Sequence, residues 1–173
     1  GKGQEGNSLE SDRYRVEVVG RIFSESFNAF LEEGIRAEDF WDRLMARLSA
    51  GFVQGDFVFI AFDKLRDRIC CIRDQAGGIP FYYYHKDDDL VFSNDPGKVR
   101  STVPGGTTMD EQWVEDSLIS VFSEKWRTPY REIRRLEPGF FLQFGSGFDT
   151  KRYWDLESGI QSPALSFNEA AEE

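Results

Sequence analysis

The chain has 173 residues, of which 40% are apolar and 15% aromatic, and its 31 acidic against 21 basic side chains give a formal charge of −10. Such a composition fits one globular domain with a sizeable core and excludes a disordered chain. The acidic balance argues against non-specific nucleic-acid or anionic-membrane binding, both of which need a basic surface. No apolar run reaches the ~18 residues of a membrane-spanning helix. The first residues, Gly1 to Gly6, hold no apolar signal region, so a cytoplasmic protein is the expectation.

Residues 1–13 are polar and read as a flexible leader. Tyr14, Val16 and Val18 alternate with Arg15 and Glu17, the pattern of a half-buried strand ending near Gly20. Ser24 or Ser26 then caps a short helix with Phe27, Phe30 and Leu31 inward and Gly34 at its end. Ala37, Phe40, Trp41, Leu44, Met45 and Leu48 share one helical face, so a helix is predicted over 37–48.

Gly51 to Asn94 reads as a meander. Phe57–Phe62 is apolar at every position, which places both faces of that strand in the interior. Arg68–Ile72 returns as a second strand carrying the only two cysteines, Cys70 and Cys71. Neighbouring strand residues point to opposite faces, so these are small core residues and not a disulfide. Gln75 to Pro80 breaks the ladder with two glycines and a proline. Phe81–His85 and Leu90–Phe92 form a hairpin around Lys86-Asp87-Asp88-Asp89. A helix follows over 110–122, capped by Thr108 or Asp110, with Trp113, Val114, Leu118, Val121 and Phe122 inward. Gly139–Phe144 and Lys151–Trp154 are a last strand pair. After Trp154 the composition turns to that of a linker. Ser166 to Glu169 matches a helix-opening capping box, which suggests a longer natural protein.

Four stretches together resemble the asparagine synthetase family: GDFVFIAFDKLRDRICCIRDQAGGIPFYYY, LVFSNDPGKV, TPYREIRRLEPGFFL and KRYWDL. The likeness is to its N-terminal class II glutamine amidotransferase domain and runs from about Tyr14 to Leu156. It implies an α+β fold of the Ntn-hydrolase type, two antiparallel sheets sandwiched between helices. Residues 14–156 would form this domain, and 157–173 a linker with the start of a further helix.

The family's glutaminase uses an N-terminal cysteine as nucleophile, whereas this sequence begins with Gly1, so no catalytic residue is assigned. The resemblance places the family's oxyanion-hole Asn at Val19, followed by Gly20, with Arg21 where the family has Glu. Glu38 and Asp39 fall near the element that holds the substrate amino group, although the first turn of a helix also favours carboxylates there. Arg73, Asp74, Gly78 and Pro80 match the family's Arg-Asp loop, where an internal ion pair fixing the turn is expected. His85, the sole histidine, and Asp87 to Asp89 read as solvated hairpin residues. Gln75 to Gly78 lacks the Lys-Ser/Thr of a phosphate loop.

These positions imply an amidotransferase-like domain without glutaminase activity, a scaffold for an ATP-using, amide-forming synthetase domain on the same or a separate chain. No cofactor is expected in this chain and no metal site; ATP and Mg belong to the downstream domain, whose Ser-Gly-Gly-x-Asp-Ser motif is not in the sequence. A homodimer is compatible with this reading. Two alternatives stand beside it: an active ammonia-supplying domain whose N-terminal cysteine lies outside the sequence, and a stand-alone protein-interaction module.

Overall fold

The computed structural model describes residues 7–51, 53–119 and 124–155. The described residues form four helices and nine strands, the strands in two antiparallel sheets. The larger sheet runs β1 (Asn7–Glu10), β2 (Tyr14–Ile22), β3 (Gly55–Asp63), β4 (Arg68–Arg73), β8 (Phe140–Phe144) and β9 (Phe148–Arg152), in that spatial order. The smaller sheet is β6 (Asp89–Ser93), β5 (Tyr82–Lys86) and β7 (Arg134–Arg135).

Three apolar layers hold these elements together. On one face of the larger sheet, Tyr14, Val16, Val18, Phe57, Phe59, Ala61 and Cys70 pack against Phe27, Phe30 and Leu31 of α1 (Glu25–Gly34) and Phe40, Leu44 and Leu48 of α2 (Phe40–Ala50). On its other face, Val58, Cys71 and Leu142 meet Phe81 and Tyr83 of the smaller sheet. The far face of the smaller sheet packs Tyr84 with Ile133 and with Val99 of α3 (Pro96–Thr102). The result is the helix–sheet–sheet–helix order that a strand apolar on both faces requires. Cys70 and Cys71 are buried, free, and turned into different layers.

Several expectations need correction. The leader does not reach residue 13, because Asn7–Glu10 pairs with Val18–Arg15 as an edge strand. One apolar residue, Leu9, is too little periodicity to announce it. The second helix starts at Phe40, three residues late. Arg13 and the Tyr14 hydroxyl both donate to the Glu38 carbonyl, which keeps the preceding turn out of the helix. The meander is interrupted: β4 pairs with β3 and β8, and the chain crosses to the other sheet between Asp74 and Phe81. The last strand is Phe148–Arg152, since the amides of Tyr153 and Trp154 both turn to the Gly139 carbonyl.

Helix α4 spans Glu111–Leu118 and buries none of its residues, and Leu118 is 81% exposed rather than inward. It is held from its polar side. Asp110 caps it through the Trp113 amide, and Arg127 bridges Asp110 and Asp116. Val121, Phe122 and the 166–169 capping box lie outside the described residues. Helix α3 is not announced by apolar periodicity; Asp95 caps it at the Gly97 amide and Pro96 opens it.

Candidate functional site

Of the positions matched to the family, Val19, Gly20, Gly78 and Pro80 lie where β2, the β4–β5 crossing and the β5–β6 hairpin meet. Val19 faces the inter-sheet layer. It lines a cleft of about 230 Å³ with Val58, Ile60, Ile79, Pro80, Phe81, Phe92, Ser93 and Asn94. Only Ser93 and Asn94 bring polar side chains, and Asn94 is exposed at the mouth. Val19 presents an isopropyl group to this cleft, a side chain with no hydrogen-bond donor.

Beside Val19, the backbone is packed to contact. Gly20 has φ +99°, and a Cβ there would lie 2.1 Å from the Asp56 carbonyl oxygen and 2.3 Å from Ile79 Cδ1. Gly78, on the crossing loop, closes on the same residue, with a hypothetical Cβ 2.0 Å from Asp56 Oδ1. Two glycines thus let the loop seat on the strand pair around Asp56, and Ile79 wedges into the cleft. Sequence reading missed Asp56 and Ile79, because neither residue type signals a buttress. Arg21 stands opposite Asp56 in the β2–β3 ladder and is exposed.

Arg73 and Asp74 fix the same loop, by a route other than the expected ion pair. The Arg73 guanidinium donates to the carbonyls of Ile79 at 2.7 Å, Leu136 at 2.7 Å and Gly77 at 2.6 Å. Asp74, fully buried, accepts from the Gly77 amide through Oδ1 and the Phe57 amide through Oδ2. Each side chain serves orphan backbone groups of a buried turn, which is the stronger demand in a dry interior. Burial lowers the Arg73 pKa from its ordinary value, and neighbouring Asp74 opposes that shift. Pro80 is exposed on the outer rim.

Glu38 and Asp39 do not join the cleft. Both are exposed, on the helix-covered side of the larger sheet, and the Tyr14 hydroxyl reaches the Glu38 carbonyl at 3.3 Å. Roughly 17 Å of strand separates Tyr14 from Val19, and Val19 faces the opposite side of the sheet. Asp39 stands at the N-cap of α2 and pairs loosely with Arg43. The carboxylates act as helix-terminal charges.

Other reactive groups are structural. Burial pushes both thiols far up from their ordinary pKa, so neither Cys70 nor Cys71 offers a thiolate. His85 is half-buried and not simply solvated: its ring stacks on Phe148 with centroids 3.9 Å apart. Among the described residues no group of three or more His, Cys, Asp or Glu is placed to hold a metal ion.

Residues 46–154 match the model of a family described as a glutamine amidotransferase domain. A putative glutamine-hydrolyzing asparagine synthetase from Methanocaldococcus jannaschii is 33% identical over 96 residues, covering 50% of this chain and 18% of that protein. Among solved structures, the glutamine phosphoribosylpyrophosphate amidotransferase of B. subtilis is similar at TM-score 0.46 and 13% identity, over 83% of this chain and 30% of that one. A structure described as the allosteric regulatory enzyme of purine biosynthesis is similar at TM-score 0.47 and 14% identity, with the same coverages. The chain thus spans under a third of the length of each of these relatives. With the family match extending over more than half of its residues, the chain belongs to the glutamine amidotransferase domain family.

Proposed function

We propose that this is an amidotransferase-type domain of an asparagine-synthetase-like enzyme in which the glutaminase site has lost its function and the fold serves as a scaffold. One observation carries the reading: at the position matched to the oxyanion donor, Val19 lines an apolar cleft beside Gly20 and Ile79. A tetrahedral oxyanion formed there would meet hydrocarbon. Losing one such donor costs an amidase about 10²–10³-fold in rate. The separation of Glu38 and Asp39 from Val19 supports the same reading, since no acidic residue is among those lining the cleft to hold a substrate ammonium.

The domain's partner is then an ATP- and Mg-using synthetase domain that forms the amide bond with an amine other than glutamine-derived ammonia. The test is glutamate release from glutamine by the full-length native protein, measured beside ATP consumption with candidate amines. Amine-dependent ATP turnover without glutamate release supports the scaffold. Glutamate release at rates typical of enzymes, about 1–10³ per second, would overturn it in favour of an ammonia-supplying domain. A protein with neither activity and no ATP-using region would overturn it in favour of a stand-alone interaction module.

A further inference from the structure

A second cleft lies at the opposite end of β5 from Val19. It encloses about 360 Å³ and is lined by Tyr83, Tyr84, His85, Lys86, Arg131, Glu132, Arg134 and Phe148. That volume is at the lower end of those that hold small ligands. Three of the lining residues are full cations, in a chain whose formal charge is −10.

Nine of the other cations are already engaged by carboxylates or backbone carbonyls. Arg13, Arg15, Arg43, Lys64, Arg127, Lys151 and Arg152 are each paired with a carboxylate, and Arg73 and Arg135 donate to backbone carbonyls. Lys86, Arg131 and Arg134 make no ion pair among the described residues, and all three line this one cleft. The single acid there, Glu132, is already engaged: it accepts from the Thr108 amide at 2.8 Å. Arg134 is held in place by stacking, with its guanidinium carbon 5.0 Å from the centre of the Trp126 ring.

The backbone adds a donor. Strand β7 pairs only Arg135 with Tyr82 and Arg134 with Tyr83. Because ladder bonds alternate along a strand, the amide of His85 faces the same edge as that of Tyr83, beyond the end of β7. The stacked rings of His85 and Phe148 form an aromatic wall beside it. Two arginines, a lysine, an edge amide and an aromatic wall on one cleft match a small molecule with two negative charges on oxygen.

We propose that this cleft binds a small dianion, a phosphate monoester or a dicarboxylate. The site is independent of the glutaminase reading, because it shares no residue with the Val19 cleft. The test is calorimetric titration of the full chain with inorganic phosphate, phenyl phosphate and succinate. Saturable binding of at least one is expected, weakened about tenfold or more in Arg131→Gln/Arg134→Gln, and weakened also by added salt. Phenyl phosphate exceeding inorganic phosphate would identify an aromatic phosphate ester; succinate exceeding both would identify a dicarboxylate. Arg36→Gln, which removes an exposed cation elsewhere, should leave the affinity within about twofold. No saturable binding by any probe, or equal loss in the Arg36 variant, would overturn the proposal.

Discussion

Arg73 and Asp74 show how much one dipeptide can do when it is spent on backbone. Between them they satisfy three carbonyls and two amides around the crossing loop. Removing the carboxylate in Asp74→Ala strands the Phe57 and Gly77 amides, and unfolding in urea should show a loss of about 2–4 kcal/mol. Arg73→Lys should fail to rescue, with a loss of about 2 kcal/mol or more, because an ammonium cannot reach three carbonyls in different directions. An unchanged midpoint in either variant would refute this account. The importance of the pair was legible in the sequence; its chemistry was not. Adjacent opposite charges invite an ion pair, and only the fold shows that five backbone groups compete for them.

At the scale of elements, periodic segments read out well. The alternation of Tyr14, Val16 and Val18 and the helical face of Phe40, Leu44 and Leu48 are both core-facing as expected. What failed was partner choice. Nothing local in the β4 sequence says that it pairs with β8 instead of β5, because that choice is made by the crossing loop. Helix α4 failed differently: Trp113, Val114 and Leu118 have helical spacing, but Arg127 anchors the helix by its acidic face and leaves Leu118 in solvent. The loop's fit onto Asp56 can be probed by two alanines. Gly20→Ala adds a Cβ against fixed backbone at a left-handed φ and should cost about 2–4 kcal/mol. Gly78→Ala meets mainly the Asp56 side chain, so its smaller cost should be relieved in an Asp56→Ala background while that of Gly20→Ala is not. Thermal melts of the three single and two double variants check this, and equal relief of both would contradict the packing described.

For the whole molecule, acid is the expected weak side. Burial alone would raise the pKa of Asp63, but Arg13 and the amides of Arg66 and Leu65 outweigh it and hold the carboxyl below its ordinary range. Asp110 is held low first by the Arg127 guanidinium and then by the Trp113 amide, against its partial burial. Both folded values lie below the unfolded ones. Their stabilisation is therefore complete above the usual carboxylate range and is lost as pH falls through the folded values. The melting temperature should hold near neutrality and drop below about pH 4. Asp63→Asn and Asp110→Asn should each melt lower at pH 7 and lose less on acidification. A wild-type profile flat to pH 3 would speak against it.

The pairing of β4 with β8 also sets an order of events during synthesis. β4 is complete at Arg73, and the strand that covers its open side begins at Phe140. At about 5–20 residues per second, the ribosome leaves that side uncovered for roughly 3–13 seconds. For that interval Cys71 and Ile72 sit beside a bare row of amides and carbonyls, a template for pairing with another nascent chain. The smaller sheet and α3 are made inside the same window, and they can shield one face of β4 but not its edge. The larger sheet is thus the one whose completion waits on β8 and β9.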